Sequence, residues 1–389
     1  MCNYSKVQFI SWELHTGPFI LSAPPGQLGS YSGLLSPTPG KRADAFAQCW
    51  DIEARLAFTA DAIERAEAMC DPSVKTLKVF MAPAFTYRGA GGAYLHGLLE
   101  GWSGEAPSEL QLPPPYHQHW DGLFGGLRSL VASVVYEDWI FVFGTAVSAS
   151  FPARRDGGKH ALDPTLPGEL WSSALVQRGG AMHGRHHYLS RKHYRSGAAF
   201  LRWYGAAGQP VLSALPEGVI GVDESSALCR IPTVRDHGGV PIDFGVEVGL
   251  DHARSGDKGA NRHGRVRTAG RFVKIQLVPS CGMVLLPESV RLQPANGPTT
   301  FSYAFNCDGL TAFSGEAGSH TQLWNGVYGG LANRLVEASG GEPYPGTRTD
   351  TVAAQLLTSQ GPVSSNMLWN NGNGLQGAGT VRVVNPLEL

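Results

Sequence analysis

The chain has 389 residues, 42% hydrophobic and 16% charged, with 31 Lys+Arg against 32 Asp+Glu for a formal charge of −1. That balance excludes a global attraction to nucleic acid or an anionic bilayer, and there is no apolar run of about 18 residues and no signal-peptide layout at Met1-Cys2-Asn3-Tyr4, so a cytoplasmic address without membrane contact is expected. Length and apolar content suffice for one large core, and a single domain over 1–389 is expected.

In chain order, 6–11 reads as a first strand and 21–41 as a Gly/Pro/Ser-rich excursion without periodicity. Ala45–Met69 is the clearest helix. Phe46, Trp50, Ala54, Ala57, Ala60, Ile63 and Ala66 recur at three or four, which predicts that this stripe is the buried face. The short apolar runs at 79–82, 140–143, 174–176 and 275–278 are predicted strands buried on both faces, with a helix at 123–136 between two of them. Fifty Gly and 26 Pro predict many turns and few helices. Helices alternating with buried strands argue for an α/β layered fold.

Residues 253–271 carry Arg254, Lys258, Arg262, Arg265, Arg267 and Arg271 against Asp257. One reading is a solvated loop, and the other is a basic flap that steers or covers an anionic ligand. The Gly/Asn-rich tail at 347–389 is expected to pack across a sheet edge or a neighbouring subunit rather than hold chemistry.

The six cysteines, Cys2, Cys49, Cys70, Cys229, Cys281 and Cys307, lack the close pairs of zinc or dithiol sites. The run His183, His186, His187 and His193 invites a metal reading, but His183 with His186 or His187 lacks a third ligand at a recognisable spacing, and alternation along a strand through Tyr188 and Leu189 accounts for them. No metal and no cofactor is expected. His117-Gln118-His119-Trp120, after the prolines at 113–115, reads as a pocket rim.

Four segments come in a telling order. Leu77-Lys78-Val79-Phe80-Met81-Ala82-Pro83-Ala84-Phe85-Thr86-Tyr87-Arg88-Gly89 is an apolar strand running into a proline, and Tyr188-Leu189-Ser190-Arg191-Lys192-His193-Tyr194 ends a strand on an Arg-Lys pair. Val246-Glu247-Val248-Gly249-Leu250-Asp251-His252-Ala253 is another strand end, followed by Phe272-Val273-Lys274-Ile275-Gln276-Leu277-Val278-Pro279-Ser280-Cys281-Gly282. Together they resemble the catalytic segments of the nitrilase, or carbon–nitrogen hydrolase, superfamily over about Lys78 to Asp308. The resemblance implies an αββα sandwich with insertions near 17–41 and 253–271 and a tail at 347–389, paired into a homodimer or larger assembly. It also implies a Glu-Lys-Cys triad whose lysine is Lys192, whose glutamate position holds Ala84 and whose cysteine position holds Gly249.

The chemistry of such a triad explains what is missing. A thiol of ordinary pKa, about 8.5, needs a base and a nearby cation to attack an amide or nitrile carbon. The carboxylate moves the proton, while the lysine and a backbone N–H hold the tetrahedral anion. Gly249 has nothing to attack with and Ala84 cannot move a proton, so ordinary thiol-dependent hydrolysis is not expected. Because the flanking residues keep the family's pattern, targeted replacement explains the chain better than general drift. Cysteine to glycine is an unusual laboratory choice, which favours a natural variant over an engineered trap.

Lys192 is then the residue to explain, since an ammonium inside a site needs a partner. Asp251 or water can satisfy it; alternatively Lys192 and the N–H of Leu250 hold an anionic or carbonyl-bearing ligand where the cysteine would stand. Phe85, Tyr87, Leu250, Asp251, His252 and Cys281 complete the expected pocket, with Cys281 read either as a packed thiol or as a relocated nucleophile. Three functions follow. The chain acts by altered chemistry on a small molecule bearing a C–N bond or a carboxylate, or it is a non-catalytic ligand-binding or partner subunit, or it is an inactivated amidase or nitrilase.

Overall fold

Apolar side chains alternate between two cores along each central strand. In the computed structural model, which describes residues 2–17, 32–34, 45–90, 92–163, 166, 169–194, 203–204, 210–211, 223–294, 301–309, 321–325, 335–337, 347–369 and 377–389, strand Lys6–Glu13 sends Val7 and Phe9 to one core and Ile10 and Trp12 to the other. Strands Thr76–Met81 and Trp139–Val142 do the same, with Val79 and Ile140 opposed to Phe80 and Phe141. Burial on both faces demands apolar residues at nearly every position, so these strands are legible as continuous runs.

The three strands are parallel neighbours in register, Phe9 beside Val79 and Val79 beside Ile140. They lie in a sheet that continues through Glu169–Arg178 and Ala146–Ser150 on one side and Thr380–Val383 on the other. A second sheet holds Pro241–Val246, Ile275–Ser280 and Tyr303–Asp308, also parallel to one another. The sheets meet face to face: the Phe9 ring lies 5.5 Å from that of Tyr303 and 5.0 Å from that of Phe305.

Helix Ala45–Met69 covers the outer face of the first sheet, packing Ile52, Phe58 and Ile63 against Trp12, Phe80 and Phe141. Its extent agrees with the sequence and its buried face does so in part, with Ala54, Ile63 and Ala66 of the expected stripe fully buried. Phe46, Trp50, Ala57 and Ala60 are half-buried, and the fully buried stripe runs through Gln48, Asp51, Arg55, Thr59 and Ala62. Two charged residues inside that stripe displace it from the one an apolar pattern marks. The helix expected at 123–136 is split into helix Gly122–Leu130 and a turn of 3-10 helix at Val134–Tyr136.

The architecture is mixed α/β with few helices. On the outer face of the second sheet, Val266, Val273, Leu285, Leu292 and Trp324 form a third core under the four-residue helix Arg265–Thr268 and irregular chain. Among the described residues no second long helix lies there. The loop feeding it is punctuated by Gly256, Gly259 and Gly270, all at positive φ, which ends helical turns early.

The tail adds strands to a sheet edge. Arg348–Thr351 pairs with Thr380–Val383, which pairs with Lys6–Glu13, and Leu387–Glu388 pairs with the same strand. The basic stretch at 253–271 is neither a fully solvated loop nor a free flap, because Arg265 is buried in ion pairs with Glu224 at 2.7 Å and Asp251 at 3.4 Å. Arg254, Lys258, Arg262 and Arg271 are exposed. Most of the excursion expected at 17–41 lies outside the described residues. No helix among the described residues is long and apolar enough to cross a membrane.

Candidate functional site

The parallel strands of both sheets end on one side of the molecule, where open α/β sheets bind ligands because loops there are free to vary while the strands hold them in place. Backbone bonds cross between the sheets at these ends: Ala84 N–H donates to the Ser280 carbonyl at 3.0 Å, and Thr16 N–H to the Gly309 carbonyl at 2.8 Å. The Thr16 hydroxyl also donates to the Ala84 carbonyl at 2.5 Å. Segments distant in sequence are thereby fixed around one volume.

Lys192 follows strand His187–Arg191, and its N–H donates to the Ser172 carbonyl at 2.8 Å. Gly249 follows strand Pro241–Val246 at φ +52, and a Cβ built on it would lie 3.6 Å from Lys192 Nζ, an ordinary contact distance. The residue at 249 thus addresses the lysine directly. Ala84 sits beside Phe85, whose ring centroid is 5.2 Å from the same Nζ. Burial lowers the pKa of Lys192 to about 8; Asp251 and Cys281 work to raise it, and Arg88 lowers it further.

Phe85 is itself unusual, at φ +66 without being glycine. An aromatic residue in this region is strained and persists only where its surroundings impose it. Here Phe85 N–H donates to the Thr145 hydroxyl at 2.6 Å and Tyr87 N–H to the Thr145 carbonyl at 3.0 Å. The Arg88 guanidinium lies over the Phe85 ring, 3.8 Å from its centroid. Arg88 is 2% exposed, and burial pushes its pKa down to about 9.

A shallow cleft opens beside this group, lined by His15, Thr16, Gly17, Ser32, Arg55, Phe85, Arg88, Leu368 and Trp369. Burial holds the His15 imidazole at about 4, so it is neutral at physiological pH. The tail, which adds strands to the sheet edge, also reaches this cleft, where Leu368 and Trp369 form one wall. Trp369 Nε1–H donates to the Thr86 carbonyl at 3.1 Å across 283 residues of sequence. His117, His119 and Trp120 are not among the described lining residues.

Several expected pocket residues face elsewhere. The Tyr87 hydroxyl is 2.9 Å from that of Thr59, which turns its ring into the helix layer. Asp251 accepts the N–H groups of His193 at 3.0 Å and Tyr194 at 2.8 Å. It anchors the residues just after Lys192 and also favours that lysine's charged form. Burial lifts its carboxyl to about 6, against Arg265, those N–H groups and Lys192, so it stays ionised at neutral pH. His252 is buried with Nδ1 at 2.6 Å from Glu247 Oε2, and its Nε2 accepts the Leu286 N–H at 3.0 Å. That acceptance puts the proton on Nδ1 and fixes the ring as a brace. Leu250, like Ala84, Lys192 and Gly249, is not among the residues lining the cleft, and its carbonyl closes the turn by accepting the N–H groups of Ala253 and Arg254.

Cys281 lies in electrostatic reach of both Lys192 and Arg88. Burial nevertheless pushes its thiol up to about 12, with Asp308 adding to the rise and Arg88, Thr16 and Lys192 only moderating it. A thiol so protonated is a packed neutral group at neutral pH, not an activated nucleophile.

Arg88, Arg55, Trp369 and the Arg265–Glu224 pair behind Asp251 were not read as site residues from sequence. Only Arg88 had a local signal, its place four residues after Ala84. Among the described residues no group of three or more His, Cys, Asp and Glu side chains is arranged to hold a metal, and the rings of His183 and His186 stack 5.2 Å apart.

No family model matches the chain, and no curated protein matches it. Among solved structures, a glutamine-dependent NAD(+) synthetase from Cytophaga hutchinsonii is similar over 86% of this chain and 40% of its own, at 9% identity and a TM-score of 0.32. An N-terminal amidase is similar over 71% of this chain and 48% of its own, at 11% identity and a TM-score of 0.31. The same coverage holds for an N-terminal amidase with an Asn-Glu-Ala peptide, at 10% identity and a TM-score of 0.29. The match spans less than half the length of each of these chains.

Proposed function

We propose that this chain is a carbon–nitrogen hydrolase-type protein, built on that family's αββα plan, whose site binds a small nitrogen-containing molecule through Lys192 without a thiol step. The observation that carries the reading is the 3.6 Å between the Cβ position of Gly249 and Lys192 Nζ. It supports a nucleophile seat beside a cation, with the seat left empty of a side chain. With Ala84 at the base position, the chain can hold a carbonyl or an anion there by charge and hydrogen bonding, but it cannot acylate itself at 249.

The test is to refill both positions. Ala84→Glu with Gly249→Cys places a carboxylate and a thiol around the existing lysine, and the double variant should be acylated by a panel of simple amides, esters and nitriles. Intact mass spectrometry with peptide mapping reads acylation at residue 249. Either single variant should remain nearly inert, because base and nucleophile act as a unit. A folded double variant that takes no acyl group anywhere on the panel overturns the reading.

A further inference from the structure

We infer that the basic hairpin at 254–262 is a docking surface for a short acidic peptide segment of a partner protein, held by Arg254, Lys258 and Arg262, with Arg267 and Arg291 extending the surface. The inference is independent of the reading of Lys192. Its geometric basis is the antiparallel bridge between Ser255 and Asn261, whose register sets Arg254 across from Arg262 while Lys258 stands in the turn between them. Those three side chains are exposed, Arg267 and Arg291 are half-buried, and among the described residues none of the five forms an ion pair.

Like charges opposite each other in a hairpin repel, so other bonds must hold the loop in this shape. Ser255 Oγ donates to the His263 carbonyl at 2.7 Å and lies 2.6 Å from the Thr268 hydroxyl, to which Asn261 Nδ2 donates at 3.3 Å. Gly256 N–H donates to Glu224 Oε1 at 2.6 Å, and its carbonyl accepts the Tyr194 hydroxyl at 2.8 Å. Glu224 is itself paired with the buried Arg265, which leaves Asp257 as the acid of the loop. The basic surface continues into the helix at Thr268: Arg267 adds to the effect of burial in lowering the pKa of Arg291, and both add to it in lowering that of His263. A face of this kind is pre-shaped and short of counter-charge, which favours an anionic partner.

The charge pattern selects a short anion over a long one. Over 253–291 eight Lys and Arg stand against Asp257 and Glu288, whereas the whole chain is at −1, so the rest of the chain is net acidic. A long polyphosphate or an anionic bilayer reaching past the hairpin meets that acidic remainder, while a few consecutive carboxylates stay within the basic face. Arg254 and Arg262 bring planar guanidinium groups that match carboxylates through two parallel bonds.

The experiment is fluorescence anisotropy of the whole chain with a fluorescein-labelled peptide of eight glutamates, beside the same peptide made of glutamines. The glutamate peptide should bind and the glutamine peptide should not. Arg254→Gln with Lys258→Gln and Arg262→Gln should weaken the glutamate peptide at least about tenfold. A control triple, Arg155→Gln with Lys159→Gln and Arg185→Gln, removes the same charge from exposed positions of other loops and should weaken it less than about threefold. No binding of the glutamate peptide, equal binding of the two peptides, or equal losses in the two triples overturns the inference. Unlabelled thymidine oligonucleotide or phosphatidylserine vesicles that displace the labelled peptide at a lower concentration of charge than unlabelled glutamate peptide does overturn the choice of partner.

Discussion

Two arginines border the same cleft in opposite electrostatic situations. Arg55 meets Asp51, and Tyr94 donates to the same carboxylate; burial opposes the guanidinium's charge, but Asp51 and Tyr94 outweigh it and hold its pKa above the ordinary value. Arg88 meets an aromatic face, and burial prevails over the weak support of Cys281, bringing it down to about 9. A matched buried charge is a strut that fixes the positions of Ser32, Thr86 and Leu368. A guanidinium on which desolvation prevails costs folding energy instead, so two residues of one type contribute to stability with opposite sign.

The sharpest way to break the comparison is to strand a member of the matched pair. Asp51→Ala leaves Arg55 charged and buried and should cost about 3–5 kcal/mol in urea unfolding. Replacing both, Asp51→Leu with Arg55→Met, should recover much of that loss. A double variant as unstable as the single one would show that the strut's carbonyl contacts matter more than its charge balance.

On the opposite side, Lys192→Met removes a cation that burial disfavours. The variant should be more stable than its parent at pH 7 by roughly 1–3 kcal/mol, from the fall of the lysine pKa from 10.5 to about 8 discounted for partial exposure. Its sign with pH is fixed. The unfolded chain holds the Lys192 proton between about 8 and 10.5 while the folded chain has released it, so the parent gains stability relative to the variant as pH rises through that window. Parallel denaturation curves for the two proteins from pH 7 to 11 check this, and a gap that widens with pH contradicts it.

Smaller effects probe the frame around the two cations. Gly249→Cys alone should cost about 1–2 kcal/mol, because φ is +52 there while the neighbouring space admits a Cβ. A thermal shift several times larger would mean that the seat is sterically closed. Thr145→Val removes the acceptor of the Phe85 N–H and should cost about 1 kcal/mol in urea unfolding. An unchanged stability would free the positive-φ Phe85 from dependence on that bond.

Repetition along the chain determined what could be read without coordinates. Strands buried on both faces are written as unbroken apolar runs, so Thr76–Met81, Trp139–Val142 and Ile275–Ser280 were legible, as was the extent of Ala45–Met69 from its three-or-four spacing. The positions of Lys192, Ala84 and Gly249 came from local segments, each at a strand end. Tertiary structure alone decided that the buried face of the long helix takes in Asp51 and Arg55, which look like surface residues until their partners are known. It turned Tyr87, Asp251 and His252 away from the pocket by offering each a hydrogen-bonding partner outside it. It also brought Trp369 and Leu368 against Thr86 and Arg55 across about 280 to 310 residues of chain. Periodic burial leaves a mark in every local window, whereas pairing between distant charges, aromatic rings and carbonyls leaves none, since either partner alone is compatible with many surroundings.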